Sequence, residues 1–135
     1  MSTQGRVDHR RQLGRRGEQL AVEHLERNGD RLVERNYRTR EGEIDAIVVS
    51  GTTLVFCEVK TLVSRAQIAR GPAYPLEGIG PAKRRQVRRI ARSWLAERLS
   101  AQQALRFRDI RFDAIGVVLA PSGQLLRLER VEGAF

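Results

Sequence analysis

A single cysteine, Cys57, and two histidines are the only soft metal-binding side chains apart from one methionine in the 135 residues. An intrachain disulfide framework is therefore excluded, and a Cys/His zinc cluster cannot be assembled. No apolar run approaches the roughly 20 residues needed to span a membrane. The segment from Met1 to Gln12 is polar and lacks the hydrophobic stretch of a secretory signal. It reads as a short disordered basic lead, followed by a single domain over 13–135. A cytoplasmic protein with no membrane partner is expected. Aromatic residues make up only 5%, so rings for stacking single-stranded bases are not evident. Lysine is also scarce: of 25 basic side chains, two (Lys60 and Lys83) are lysine and 23 are arginine. An ammonium and a guanidinium do not interchange at a tight site, which draws attention to both lysines.

What the chain has in excess is positive charge, with a net +9 and a pI near 11.2. An anionic partner follows, with nucleic acid the first candidate. Hydrophobic residues at 41% and charged residues at 30% allow one packed core.

Apolar and small residues recur with helical spacing at Leu13, Gly17, Leu20, Ala21, His24 and Leu25, and Gly29 is a natural stop. His24 falls on this stripe and is expected to pack in the core. Arg31 to Tyr37 reads as a first strand. Glu43 to Val49 and Thr53 to Leu62 read as a hairpin turning at Ser50-Gly51-Thr52. The proline- and glycine-rich stretch 63–80 reads as a long loop, a candidate lid over substrate. Pro81 opens a second helix, with a stripe of Lys83, Val87, Ile90, Ala91, Trp94, Leu95 and Leu99. Its other face carries Arg84, Arg85, Arg88, Arg89 and Arg92. Arg108 to Leu119 and Leu125 to Val131 complete the strands. A strand–helix–strand crossover makes its two strands parallel, so the expected architecture is α/β: a mixed central sheet of about five strands flanked by helices.

Alternate strand residues share a face. Glu58 and Lys60 therefore point one way, together with Leu54 and Phe56, and Asp45 is expected to share its face with Glu43, Ile47 and Val49. Cys57 points away from Glu58 and reads as a small core residue. Phosphodiester hydrolysis needs a positioned hydroxide and relief of growing negative charge. Two carboxylates holding Mg²⁺ or Mn²⁺ supply both, and a neighbouring lysine orients the water or stabilises the charge. Asp45, Glu58 and Lys60 are the right types for catalysis. The competing reading makes Glu58 and Lys60 a cross-strand ion pair, with Asp45 exposed on an edge. A carboxylate and an ammonium inside apolar strands are costly without a partner or ligand, which favours function. Lys83 heads the apolar stripe and points toward the sheet and a phosphate near it; a lysine reaching out to water is the alternative. The five arginines read as a nucleic-acid surface, or otherwise as a solvated basic face. Duplex or branched DNA, bound through backbone and shape, fits best. Asp113 could belong to the polar cluster of the site or pair with Arg111 or Arg108, and the structural role is the expectation.

The pattern of an acid on one core strand and Glu-x-Lys on the next resembles the PD-(D/E)xK, restriction endonuclease-like nuclease superfamily. More narrowly, the chain resembles the YraN-like family of bacterial proteins. The matching residues are Gly14-Arg15-Arg16-Gly17-Glu18, Asn36-Tyr37-Arg38, Gly42-Glu43-Ile44-Asp45, Val55-Phe56-Cys57-Glu58-Val59-Lys60, Lys83, Arg111-Phe112-Asp113 and Ala134-Phe135. The family is similar in fold to archaeal Holliday-junction resolvases. The resemblance implies a metal-dependent endonuclease, with Asp45, Glu58 and the Val59 carbonyl as metal ligands and Lys60 as the catalytic lysine. It also implies that Glu18 comes from the first helix to the same site, against the alternative of an ordinary surface glutamate. A junction cut symmetrically needs two sites, so the analogy extends to a homodimer. One departure stands out. The family pattern places an arginine soon after the motif lysine, whereas Thr61 and Leu62 follow here and the next arginine is Arg65. Two other function classes stay open: a non-catalytic DNA-binding module on a nuclease-like fold, and a ribonuclease or RNA-binding protein.

Overall fold

Strand-forming runs broken by tight turns organise the chain, and the computed structural model describes residues 3–64, 79–101 and 105–135. The elements are α1 (Thr3–Arg27), β1 (Arg31–Thr39), β2 (Gly42–Ser50), β3 (Thr53–Val63), α2 (Pro81–Ser100), β4 (Asp109–Leu119) and β5 (Leu125–Val131). The five strands form one mixed sheet in the order β1-β2-β3-β4-β5. β3 and β4 are parallel, joined across α2, and the other neighbours are antiparallel. This is an α/β architecture consistent with a restriction endonuclease-like fold. Among the described residues no helix is long and apolar enough to cross a membrane.

Each face of the sheet is closed by one helix. Against α2 pack Tyr37, Ile44, Ile47, Val49, Leu54, Phe56, Phe112 and Phe135, meeting Val87, Ile90, Ala91 and Trp94. Phe56 stands edge-on to Trp94 and stacks on Phe112. On the opposite face Leu13, Ala21, Val22 and Leu25 of α1 cover Ala46, Val48, Val55, Cys57, Ile115, Val117 and Leu119. Burial on both faces explains why the central strands read as nearly continuous apolar runs.

Three expectations change. α1 starts at Thr3, so the segment expected as a disordered lead continues the helix. Residues 5–12 are exposed there, and helical turns that bury nothing leave no apolar period in the sequence. Leu99, assigned to the buried stripe of α2, is 78% exposed, because that stripe ends at Trp94 and Leu95. His24 is only partly buried and bonds to Asn28 at 3.0 Å instead of packing in the core. The candidate lid 63–80 lies mostly outside the described residues.

Candidate metal centre

The site forms where two strands part. Residues of β2 and β3 stay in register from Ser50 opposite Thr53 to Ala46 opposite Cys57. Asp45 is the next residue, and its Oδ2 accepts the Val59 N–H at 2.7 Å. On its other flank the β1 register runs from Arg35 opposite Ala46 to Tyr37 opposite Ile44. Between those pairs sits Asn36 with φ of 53°, a left-handed conformation in which asparagine is enriched. The face alternation resets here. Ile44 and Ile47 both belong to the α2-side core, while Ala46 and Val48 belong to the α1 side. The expectation that Asp45 shares a face with Ile47 and Val49 is therefore corrected: Asp45 meets α1 instead.

α1 supplies the next carboxylate. A Cβ at Gly17 would overlap the Thr61 hydroxyl and lie 3.0 Å from its Cβ. Glycine at this position lets α1 approach β3 closely and delivers Glu18. Ligand atoms of Glu18, Glu43 and Asp45 all lie within 4.8 Å of one another. With its NH₂ turned toward them, the Asn36 amide donates to Glu18 Oε2 at 3.2 Å and to Glu43 Oε1 at 2.8 Å. Arg38 contacts Glu43 at 3.4 Å.

Burial, reinforced by the crowding of like charges, sets the electrostatics. Burial pushes the Asp45 carboxyl up to about 7; the Val59 N–H opposes this, and Glu18, Glu43 and Glu58 add to it. Glu18 is also raised, by burial and then by Glu43, with Arg35 and Arg38 opposing. A cation placed among these groups would relieve both penalties.

Glu58 turns toward α2, following the alternation that puts Leu54 and Phe56 in that core. Its Oε1 meets Lys83 Nζ at 2.6 Å, so Glu58 stands beside the three-acid group without joining it. Lys60 is exposed near the end of β3. The expected alternative of a Glu58–Lys60 ion pair beside an edge-exposed Asp45 is not what the fold builds: Lys83 takes Glu58, and Asp45 is half-buried between β3 and α1. Val59 meets Asp45 through its N–H. Of the residues expected at the site, the fold brings Glu18 to Asp45 and pairs Lys83 with Glu58, while Lys60 lies exposed two residues beyond Glu58 on β3. The sequence alone did not mark Glu43 and Asn36 as members. Glu43 stands two residues from Asp45, and an asparagine inside a strand-like run was the available signal for a left-handed residue.

Arg84, Arg85, Arg88, Arg89 and Arg92 of α2 are all exposed, and two of them also meet protein groups. Arg88 donates to the Phe135 carbonyl at 3.1 Å and lies 4.8 Å over the Phe112 ring. Arg89 pairs with Glu41 at 3.0 Å. Asp113 is fully buried and takes two bonds from Arg111, one from Arg130 and one from the Gly133 N–H. Arg130 also reaches Asp30 at 2.7 Å. This network is structural, as expected for Asp113, and its second arginine was not foreseen. Burial pushes the Cys57 thiol up to about 12, which removes it as a nucleophile.

A family model described as "Uncharacterised protein family UPF0102" matches residues 17–117. A UPF0102 protein of Frankia casuarinae is 42% identical over 123 residues, covering 91% of this chain and 95% of the relative. One from Geobacter metallireducens is 39% identical over 127 residues, covering 94% of each. One from Dictyoglomus turgidum is 35% identical over 125 residues, covering 93% and 98%.

Proposed function

The chain belongs to the UPF0102 (YraN) family, and on that premise we propose that it is a metal-dependent endonuclease of the PD-(D/E)xK type. The reaction is hydrolysis of DNA phosphodiester bonds, branched DNA included. The observation that carries this reading is the convergence of Glu18, Glu43 and Asp45 within 4.8 Å, with Asp45 raised to about 7 by burial and by its acidic neighbours. The donors are hard carboxylate oxygens, the set suited to Mg²⁺ or Mn²⁺ rather than to zinc.

Asp45, Glu18 and Glu43 would hold the ion, with Glu58 able to add a ligand once Lys83 releases it. A bound Mg²⁺ or Mn²⁺ supplies acidified water and offsets charge growing on the phosphate. Asn36 bridges Glu18 and Glu43 and offsets part of their repulsion by donating to both. The Val59 N–H fixes the rotamer of Asp45. Lys60, exposed on β3 two residues beyond Glu58, would orient the attacking water or meet the developing oxyanion. Lys83, freed from Glu58, offers its ammonium to a phosphate oxygen. Arg84, Arg85 and Arg92 supply non-specific backbone contacts. A protein of this kind works in the cytoplasm, where its DNA is.

Metal binding and proton release are coupled here. At pH 8 Asp45 is ionised, and Mn²⁺ at about 100 times its Kd should stabilise the fold by about 2.7 kcal/mol. At pH 5.5 Asp45 is largely protonated, and most of that gain should vanish. Thermal unfolding with Mn²⁺ or EDTA at both pH values measures it. A melting temperature that Mn²⁺ leaves unchanged at pH 8 would remove the metal site. Tight DNA binding in the same protein would then make it a binding module.

A further inference from the structure

The exposed first turns of α1 have no part in the core, yet the helix runs through them unbroken. A helix without an apolar face gains little from propensity alone, and one stripe of this one is anchored. His9 Nε2 bonds the Pro121 carbonyl at 3.2 Å, Leu13 is buried, and the Arg16 guanidinium donates to the Gly123 carbonyl. Positions 9, 13 and 16 follow helical spacing, so the turn between β4 and β5 holds this side. Beyond and beside that stripe the segment carries Arg6 at the stripe's outer end and Arg10, Arg11 and Arg15 off it, all exposed, against one acid, Asp8. No ion pair among the described residues involves any of these four.

Their placement is what gives them meaning. Arg11 precedes Glu18 by seven residues, close to two helical turns, so the two share nearly the same azimuth about 10 Å apart along the axis. That is roughly three nucleotides of rise along one DNA strand. Across the acidic cluster stands the start of α2, where Lys83 meets Glu58 and Arg84 and Arg85 are exposed. An acidic centre repels phosphate, and basic side chains on both of its flanks oppose that repulsion. A membrane surface fits poorly, since a helix lying on lipid needs an apolar face. Over residues 5–12 this helix presents only Val7.

Resting on the nuclease reading above, we propose that the first turns of α1 form a second duplex-DNA-binding arm, with Arg6, Arg10 and Arg11 contacting phosphates on the side of the site opposite α2. The arm positions the duplex and takes no part in the chemistry.

The test is the affinity for a fluorescein-labelled duplex, read by anisotropy in EDTA from about 50 to 200 mM salt. With Arg6, Arg10 and Arg11 all changed to Gln, affinity at the higher salt should fall at least tenfold. The slope of log K against log salt should lose about 2 to 3, near 0.9 for each phosphate contact. Changing the same three to Lys should keep the slope. An unaltered Mn²⁺ thermal shift in the Gln variant shows that the fold and acidic cluster are intact. If wild type binds duplex with a steep slope and the Gln variant matches it, the arm is overturned while the nuclease reading stands. If wild type binds no DNA, the DNA-directed reading itself fails and takes the arm with it. Loss of binding to phosphatidylserine vesicles with no change toward DNA also overturns the proposal.

Discussion

Asp45→Asn should abolish metal-dependent cleavage and, in the same protein, raise the stability of the metal-free fold at pH 8. The loss of activity follows from removing the central carboxylate of the cluster. Changes one shell further from a metal cost roughly 10- to 100-fold, so loss beyond about 100-fold is expected here. The gain in stability follows from the raised carboxyl of Asp45, about 7 in the fold against 3.8 as its ordinary value. A group raised in this way contributes its stability fully below the unfolded value and loses it as pH climbs through the folded one. The window is therefore about pH 4 to 7, and above it ionised Asp45 burdens the fold. At about 1.36 kcal/mol per unit the burden reaches up to about 4 kcal/mol. Asparagine carries no charge, and its Oδ1 can still accept the Val59 N–H. Urea unfolding in EDTA should show the variant ahead of wild type at pH 8, with most of that lead gone at pH 4.5 and the two level below the unfolded value. A variant less stable than wild type at pH 8 would mean that Asp45 serves the fold, not a ligand.

Asp113→Ala should have the largest stability cost. Asp113 is fully buried, bonded twice by Arg111 and once by Arg130. Removing one member of such a network leaves buried cations uncompensated, typically at about 3–5 kcal/mol. That is a large share of the roughly 5–15 kcal/mol holding an ordinary domain together. Arg130 would retain Asp30, and Arg111 would retain Glu132 at 3.5 Å, so the loss should stop short of the upper figure. Urea denaturation at pH 7 measures it, and a change under about 1 kcal/mol would show that the network contributes little. The cost should be present with and without Mn²⁺, which separates this network from the acidic cluster.

The strands were legible because alternation and turn residues act locally. Thr53 to Leu62 and Leu125 to Val131 fall within one residue of β3 and β5. The parallel pairing of β3 with β4 followed from the helix that crosses over between them. Two kinds of feature were not legible. The first turns of α1 bury nothing, so no hydrophobic period marks them. The orientation of Asp45 depends on where β2 parts from β3 and on a left-handed Asn36, which is tertiary information. For the same reason the hairpin and the family resemblance set Asp45 and Glu58 around one ion. The fold sends Asp45 toward Glu18 and Glu43, and Glu58 toward Lys83. Lys83 itself was legible, since an ammonium heading an apolar stripe needs a partner there.

Cleavage of end-labelled duplex, single-stranded and four-way-junction DNA with Mg²⁺, Mn²⁺ or EDTA, by wild type and Lys60→Ala, tests the central claim most directly. Expected is metal-dependent cleavage by wild type, lost on chelation, and reduced about 10²–10³-fold in Lys60→Ala with the Mn²⁺ thermal shift retained. Salt-sensitive DNA binding with no cleavage of any substrate under either metal would contradict it and leave a binding module on a nuclease-like fold.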